Sequence, residues 1–268
     1  MQIPVIDTVD VFVFGATSSS VSAALAVKAE GRTVLVASDR SYFGEETAGA
    51  LRLWPEVSSS NPIYRKVFSD MTPPTPLHVK RTLEQELLEH DVPFLYSCRP
   101  VFALRDKNGH LAGFILAARS ALYAVLCRVA VDASRTGVLC RLSGIPVTET
   151  SRSAARRLVV VGDTPPDSSA FTWEETTTPV RLLADNPESN ANAYIVTVRR
   201  NTTGSSFADR AAGDFQDWTQ VYYPGLQHTA DTWLDLGTEL RAGGDDQLHD
   251  DPSSLPDASF VRANDRLF

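Results

Sequence analysis

The chain has 268 residues, of which 43% are hydrophobic and 22% are charged, a composition typical of globular domains and unlike that of disordered chains. A formal net charge of −8 argues against the basic surface that nucleic-acid binding requires, so no nucleic-acid partner is expected. Three cysteines without a CxxC spacing argue against a disulfide framework, and no apolar run is long enough to span a membrane, so we expect a cytoplasmic protein without membrane contact.

The first forty residues have the pattern of a strand, a tight turn, a helix and a second strand. Residues 10–14 (DVFVF) and 33–38 (TVLVAS) are short apolar runs, as in strands that are buried on both faces. Between them, residues 18–30 have apolar residues near helical spacing and end before Gly31, a natural helix stop. This order predicts a βαβ unit, whose two strands are parallel.

The next segment combines an irregular excursion with a helix. Residues 55–78 contain several prolines and serines and are expected to be irregular. Residues 78–90 predict an amphipathic helix. Its apolar face would consist of Val79, Leu83, Leu87 and Leu88.

An antiparallel meander is expected after this helix. A strand is predicted over 92–97, followed by a hairpin over 101–118 that turns at Asn108-Gly109, the pair favoured in type I′ turns. A further strand is predicted over 123–134 and a short helix over 136–144.

Beyond residue 150 the pattern is mixed. Strands are predicted over 155–163 and 191–200, and helices over 207–223 and 228–242. The whole order predicts an α/β fold: a Rossmann-like dinucleotide-binding βαβ domain with an antiparallel β-meander insertion, followed by an α+β region. We expect two domains, 1–150 for dinucleotide binding and 151–268 as a substrate, cap or interface region.

Four segments carry a family resemblance. They are the turn GATSSS (15–20), the strand end Ser38-Asp39, the stretch YFGEETAG (42–49) and the turn DASRTG (132–137). In this order they resemble the G-x-G-x-x-G turn, the acidic residue, the Y-x-G-G-x-x-(T/S)-x-G turn and the D-A-(T/S)-G turn of FAD-dependent oxidoreductases of the glutathione-reductase structural type. The resemblance implies an FAD-binding domain, FAD as cofactor and a small-molecule organic substrate.

The resemblance also implies which positions contact FAD. Gly15 stands at the first glycine of the phosphate turn, and Ser38 stands at the acidic position that accepts from the ribose hydroxyls, with Asp39 one step further. Either Asp39 supplies that carboxylate or it faces solvent. The implied cofactor-binding residues are Gly15, Ala16, Thr17, Ser18, Ser19, Ser20, Ser38, Asp39, Arg40, Gly44, Thr47, Val101, Ser134 and Arg135.

Three substitutions depart from the family pattern. Thr17 replaces the glycine that lets the backbone approach the pyrophosphate, and Glu45 replaces a second glycine. Arg135 replaces a glycine close to the nucleotide, where a guanidinium either clashes with FAD or pairs with its pyrophosphate. The helix N-terminus and the serine hydroxyls still favour an anion.

Two classes of function follow. The first is an FAD-dependent oxidoreductase, or its N-terminal subunit, that exchanges a hydride between flavin and an organic substrate. The second is a flavoprotein-like structural or binding subunit that has lost FAD and acts in a complex. A third alternative keeps the fold but binds another nucleotide or anion.

The last residues suggest a partner chain. ASFVRANDRLF (258–268) resembles the lead-in to the last flavin-contacting segment of the family. Either the chain is a fragment or a second polypeptide supplies the missing part, and of the two we expect a second polypeptide that completes the flavin fold in a hetero-oligomer.

Candidate catalytic residues lie in a stretch dense in Trp, Tyr and His, residues 217–233. Tyr222, Tyr223 and His228 are candidates to orient a substrate or to act as acid or base. The alternative is that aromatic residues such as Tyr222 belong to a core or an interface. The histidines form no H-x-x-x-H or His/Cys cluster, so no metal site is expected.

Overall fold

The computed structural model describes residues 2–54, 61–68, 74–145, 147–149, 155–169, 171–176, 178–182, 190–199, 225–232, 234 and 240–242. Contacts divide the chain into two compact units built from non-contiguous segments. The first unit comprises Met1–Phe43, Leu83–Thr150 and Leu240–Phe268, and the second comprises Gly44–Thr82 and Ser151–Glu239.

The elements follow in chain order. The strands are β1 Val5–Phe14, β2 Val34–Ala37, β3 Phe94–Leu95, β4 Arg99–Arg105, β5 Leu111–Ala117, β6 Leu122–Asp132, β7 Val147–Glu149, β8 Ala155–Gly162, β9 Phe171–Glu175, β10 Val180–Arg181, β11 Asn190–Ala191, β12 Ala193–Arg199, β13 Leu226–Thr229 and β14 Leu240–Ala242. The helices are α1 Ser18–Ala29, α2 Pro62–Val67, α3 Pro76–Glu89 and α4 Val138–Leu142, with a π-helical turn at Glu45–Gly49.

The first unit is built on a six-stranded sheet in the order β3-β2-β1-β6-β5-β4. β1 pairs in parallel with β2 and with β6, and β2 pairs in parallel with β3. β5 pairs antiparallel with β6 and with β4. The predicted α/β class, a Rossmann-like βαβ unit with an antiparallel meander, is therefore confirmed.

Apolar side chains cover this sheet on both faces. Phe12 and Phe14 of β1 are buried with Phe114 of β5, and the Phe12 and Phe114 ring centroids are 5.7 Å apart. α1 buries Val21 and Ala24. Burial on both faces explains why β1 ends in the unbroken apolar run that predicted it.

The second unit contains a four-stranded antiparallel sheet in the order β13-β8-β12-β9. Its interior includes Tyr194 of β12, whose hydroxyl lies 3.1 Å from the Thr164 hydroxyl and whose ring packs edge-on against Trp173. The strands predicted over 155–163 and 191–200 are the central strands β8 and β12.

Several sequence predictions are wrong in part. The excursion predicted for residues 55–78 contains α2, because Asn61 accepts from the N–H groups of Ile63 and Tyr64 and Pro62 occupies the first helical turn. On α3, Leu88 is exposed and Glu86 is buried, so the helical phase places Leu88 outside the predicted apolar face.

The β4–β5 hairpin turns differently from the prediction. Outside glycine, the left-handed residues of the described chain are Leu51, Asp91 and Ser97, so Asn108 lacks the positive φ that a type I′ turn requires. The Asp106 carboxylate instead accepts from the N–H groups of Asn108 and His110. Left-handed Gly109 then closes the turn, with its N–H donating to the Asp106 carbonyl.

The helix predicted over 228–242 is wrong at both of its described ends. His228 and Thr229 pair with Val161 and Val160 of β8, and β14 pairs with β7. Pairing with distant strands overrides the local helical pattern here. The helix predicted over 207–223, with Tyr222 and Tyr223, and the segment 258–268 lie outside the described residues.

None of the helices in the described ranges has the length and hydropathy that a membrane crossing needs. Within those ranges, no group of three or more His, Cys, Asp or Glu side chains could hold a metal ion.

Candidate flavin site

The strand order of the first unit reverses at β1. The chain leaves β1 through α1 toward β2, whereas β6 lies on the other side of β1. Open α/β sheets bind ligands at the carboxyl ends of the strands where the order reverses in this way. Phe14 pairs with Asp132 at those ends, so the turns that follow β1 and β6 lie next to each other.

Gly15 lies where the end of β1 meets β2 and the turn that follows β6. Its N–H donates to the Ala37 carbonyl of β2 at 3.0 Å, and the Ala133 N–H donates to the Phe14 carbonyl at 2.8 Å. A Cβ atom on residue 15 would lie 2.4 Å from the Ala133 carbonyl oxygen, and φ is +156°. A side chain at this position is therefore excluded by the β6 turn itself.

Thr17 is the N-cap of α1, and its side chain lies inside the protein. Its hydroxyl donates to the Ala133 carbonyl at 2.9 Å and accepts from the Ser20 N–H at 3.3 Å. The Ser20 hydroxyl donates to the Thr17 carbonyl at 2.6 Å. With 7% of Thr17 and 0% of Ser20 exposed, both side chains stabilise the turn from within.

The N-terminal end of α1 favours an anion. The helix begins at Ser18, runs for 12 residues and has no acidic residue in its first turn. The partial positive charge of its N-terminus is therefore not neutralised by a neighbouring carboxylate. Ser19 is exposed at this end, where a phosphate group is well placed to accept from backbone N–H groups.

Ser38 and Asp39, at the end of β2, differ in burial and in their hydrogen bonds. Ser38 is fully buried, and its hydroxyl accepts from the Arg40 N–H at 3.0 Å and donates to the Arg40 carbonyl at 3.2 Å. Asp39 is exposed, and within the described residues its carboxylate has no hydrogen bond or ion pair. Of the two candidates for the ribose position, Asp39 presents the accessible carboxylate.

The turn after β6 is organised by Asp132. One carboxylate oxygen accepts from the Ser134 N–H at 3.1 Å and the Ser134 hydroxyl at 2.6 Å, and the other accepts from the Cys140 N–H at 3.0 Å. The Ser134 hydroxyl also accepts from the Val138 N–H. Burial and the Asp132 carboxylate raise the pKa of Cys140 to about 12. Arg135 continues this turn and is partly exposed.

The remaining predicted cofactor residues lie on other elements. Gly44 and Thr47 belong to the second unit, where Gly44, with φ +90°, begins the π-helical turn. The Thr47 N–H donates to the Gly44 carbonyl at 3.1 Å, and Glu45 is buried. Val101 lies on β4 where the β4–β5 register shifts between Pro100 and Phe102, and it is exposed.

The structure therefore brings together Gly15, Thr17 and Ser134 through the β1 and β6 turns. Asp132 and Ala133 were not among the predicted site residues, although both organise it. Asp132 followed two residues later by Ser134 is a recognisable turn signature, whereas the use of the Ala133 carbonyl leaves no signal in the sequence. His228 is exposed on β13 in the second unit.

Comparisons with known proteins agree with this architecture. The anhydrotetracycline hydroxylase OxyS from Streptomyces rimosus matches at 14% identity with a TM-score of 0.50, over 83% of this chain and 51% of its own. BexE, studied for oxidation during BE-7585A biosynthesis, matches at 12% identity with a TM-score of 0.51, over 83% of this chain and 52% of its own. The chain thus spans about half the length of these structures, and the likeness concerns the fold.

No curated protein matches the sequence significantly. The model of a family described as FAD dependent oxidoreductase matches residues 10–181, well over half of the chain, and includes both turns of the candidate site. The chain therefore belongs to the FAD dependent oxidoreductase family, and its cofactor is FAD.

Proposed function

We propose that this protein, alone or as the N-terminal subunit of an enzyme, transfers a hydride between FAD and a small organic substrate. The observation that carries the proposal is the meeting of the β1 and β6 turns beside the N-terminus of α1, where the strand order reverses. FAD, when bound, supplies the redox chemistry, so the chain needs to contribute binding, orientation and exclusion of water.

The pyrophosphate of FAD would bind at the N-terminus of α1. Ser18 and Ser19 would donate to it, and the guanidinium of Arg135 would pair with it. The Thr17 side chain does not block this fit sterically, because it is buried and its hydroxyl donates to the Ala133 carbonyl. Ala16, Arg40 and Val101 of the first unit are further proposed contacts, and the roles of Gly44 and Thr47 stay predictions.

The ribose would be held by Asp39. Its exposed carboxylate at the end of β2 can accept from hydroxyl groups, whereas the Ser38 hydroxyl is committed to Arg40. Because hydrogen bonds to charged groups contribute about 1.5–3 kcal/mol, Asp39→Asn should weaken FAD binding roughly tenfold or more. Glu30→Gln is the matched control, since it removes an exposed carboxylate at the opposite end of α1.

The test is the visible spectrum of the purified protein. We expect flavin absorption bands that are released on denaturation, and a titration with FAD in which Asp39→Asn weakens binding and Glu30→Gln does not. A colourless protein that takes up no added FAD would contradict the proposal.

One observation favours the alternative, a structural or binding subunit that has lost FAD. The Thr17 hydroxyl already caps the Ser20 N–H, one of the donors that helix-bound phosphates use. FAD uptake is measured for the wild-type protein and for Thr17→Gly, which lacks this cap. Failure of both proteins to take up FAD would support the alternative.

We further propose that this chain acts together with a second polypeptide, as the resemblance of residues 258–268 to a segment near the last flavin-contacting part of the family implies. Native mass spectrometry of the protein isolated from its source should show a second chain, and a lone monomer would contradict this. The cytoplasmic location and the acid–base roles of Tyr222, Tyr223 and His228 stay predictions. His228 lies within the described residues, and measuring the turnover of His228→Asn tests its role.

A further inference from the structure

The antiparallel meander formed by β4, β5 and β6 has two faces with different surroundings. Ala103, Phe114 and Val125 lie side by side on these strands, are buried and belong to one hydrophobic core cluster. Successive residues of a strand point to opposite faces, so Phe102 and Ala124 lie on the other side. We call the side of Phe114 the inner face and the side of Phe102 the outer face.

The outer face is apolar across all three strands. Phe102 pairs with Ile115, and Ile115 pairs with Ala124, and side chains that pair directly share a face. Alternate residues of the same strands extend this row. The outer face thus comprises Phe102, Leu104, Ile115, Leu122, Ala124 and Leu126. Phe102 is 59% exposed, Ala124 is buried, and the other four are partly exposed.

This composition is unlike that of a sheet face that lies in water. Antiparallel sheets with one face in solvent carry polar residues on that face, whereas none of these six residues is polar. Val5 of β1, which is 53% exposed, pairs with Ala124 and continues the row onto a fourth strand. Contiguous exposed apolar patches mark interaction sites. The meander therefore has the pattern of a sheet that is covered on both faces.

The charges at the border of the outer face are positive. Residues 99–127 contain four basic residues and one acidic residue, a net charge of +3, although the chain as a whole carries −8. Arg105 donates to two backbone carbonyls. Arg99 and Arg119 are exposed, and neither forms a hydrogen bond or an ion pair with another described residue. Both border one end of the outer face, because Arg99 pairs with Ala117 and Arg119 follows Ala117 by two residues.

We propose that the outer face binds a second polypeptide through an apolar segment that carries carboxylates opposite Arg99 and Arg119. Interfaces combine an apolar centre with a polar rim, and charges of opposite sign across the rim select the partner. A second copy of this chain would bring a second positively charged meander, so like charges would oppose that pairing. Identifying this partner with the second polypeptide of the proposed enzyme rests on the proposed function, whereas the apolar face and its charges do not.

The test couples the outer face to whatever polypeptide contacts it. The photoreactive amino acid benzoylphenylalanine is placed at position 102 of the full-length protein, which is produced in the cells of its source and illuminated there. Position 88 is the matched control, because Leu88 on α3 of the first unit is 58% exposed. Mass spectrometry of the coupled product identifies the peptide that is joined to each position.

We expect position 102, but not position 88, to couple to one other polypeptide, through a peptide that contains Asp or Glu. Arg99→Glu and Arg119→Glu should each lower the coupled fraction about fivefold or more, because repulsion then replaces attraction at the rim. Arg81→Glu is their control, since it reverses the charge of an exposed arginine on α3, and it should couple like the unaltered chain.

Several results would overturn the proposal: no coupling at position 102, equal coupling at 102 and 88, coupling to another copy of this chain, or a coupled peptide without a carboxylate side chain. Coupling that neither Arg99→Glu nor Arg119→Glu reduces would overturn it as well. FAD uptake is measured separately on the same protein. FAD uptake without coupling contradicts this inference alone, whereas coupling without FAD uptake contradicts the oxidoreductase proposal alone.

Discussion

Gly15 shows how a glycine of the phosphate turn can be required by the protein before any ligand is considered. Its missing side chain leaves room for the Ala133 carbonyl of the neighbouring turn. We predict that Gly15→Ala destabilises the protein by about 3 kcal/mol, the scale of strong backbone strain. The free energy of unfolding in urea measures this.

Gly31→Ala is the matched control for that variant. Gly31 has φ +70°, and no atom of the described residues outside its chain neighbours lies within 4 Å of the point that a Cβ atom would occupy. Its substitution should therefore cost about 1–2 kcal/mol through the backbone conformation alone. Equal costs at the two positions would show that the contact with Ala133 does not restrict residue 15.

Thr17 replaces a family glycine with a side chain that the fold uses. We predict that Thr17→Val lowers the free energy of unfolding by about 1–2 kcal/mol, because the valine keeps the shape but cannot bond to Ala133 or Ser20. Thr17→Ser keeps the hydroxyl and should stay close to the wild-type value. A Thr17→Val protein as stable as wild type in urea unfolding would refute this role.

At the scale of elements, Asp10 and Thr33 join β1 and β2 just before the first paired residues, Val11 and Val34. The Thr33 N–H and hydroxyl donate to the Asp10 carboxylate at 3.1 Å and 3.0 Å, and the Asp10 N–H donates to the Thr33 hydroxyl at 2.8 Å. Donation from the Thr33 backbone, then from its hydroxyl, lowers the pKa of Asp10, with Arg32 and Arg128 contributing.

This lowered pKa predicts a pH dependence of stability. A carboxyl group with a lower pKa in the folded state stabilises it above the unfolded-state value of about 3.9, and the effect disappears as pH falls through the folded-state pKa. Asp10→Asn should therefore be less stable than wild type at neutral pH, with a gap that narrows below about pH 4. Urea unfolding at a series of pH values measures this difference in the free energy of unfolding. The difference should be smaller when both proteins also carry Thr33→Val. A gap independent of pH would contradict the assignment.

The sequence predicted well the helices and strands in which buried residues follow the regular spacing of one face. α1, β2 and the β4–β5 hairpin lie within a few residues of their predicted bounds, whereas β1 ends at Phe14 as predicted but begins at Val5 instead of residue 10. α2 was missed although Asn61-Pro62 is a helix-start signal, because prolines and serines nearby suggested a loop. β13 was missed because its strand conformation depends on pairing with β8, and the local sequence pattern does not indicate this pairing.

The candidate site was predictable to a similar degree. Motif positions identified the three loops at the carboxyl ends of β1, β2 and β6, and parallel pairing explains why they meet. Which of Ser38 and Asp39 is accessible depends on hydrogen bonds to Arg40, and the inward direction of Thr17 depends on a carbonyl 116 residues away. Such contacts between distant segments leave no trace in composition or spacing.

At the scale of the whole molecule, the position of FAD can be tested without a bound structure. We proposed that the cofactor binds at the turns that follow β1 and β6, where the strand order reverses. We predict that added FAD slows amide hydrogen exchange at residues 15–20 and 133–137, because bound ligand suppresses local opening of the segments it contacts.

The β4–β5 turn at residues 106–110 provides the internal control for this measurement. Its amides are bonded within the turn, to the Asp106 carbonyl and carboxylate, and it is not among the segments proposed to contact FAD. Exchange there should be the same with and without FAD, when followed by mass spectrometry of proteolytic fragments. Protection at 106–110 that matches the protection at 15–20 would indicate general stabilisation of the first unit. Protection that omits 15–20 would place the cofactor away from the β1 turn and refute the assignment.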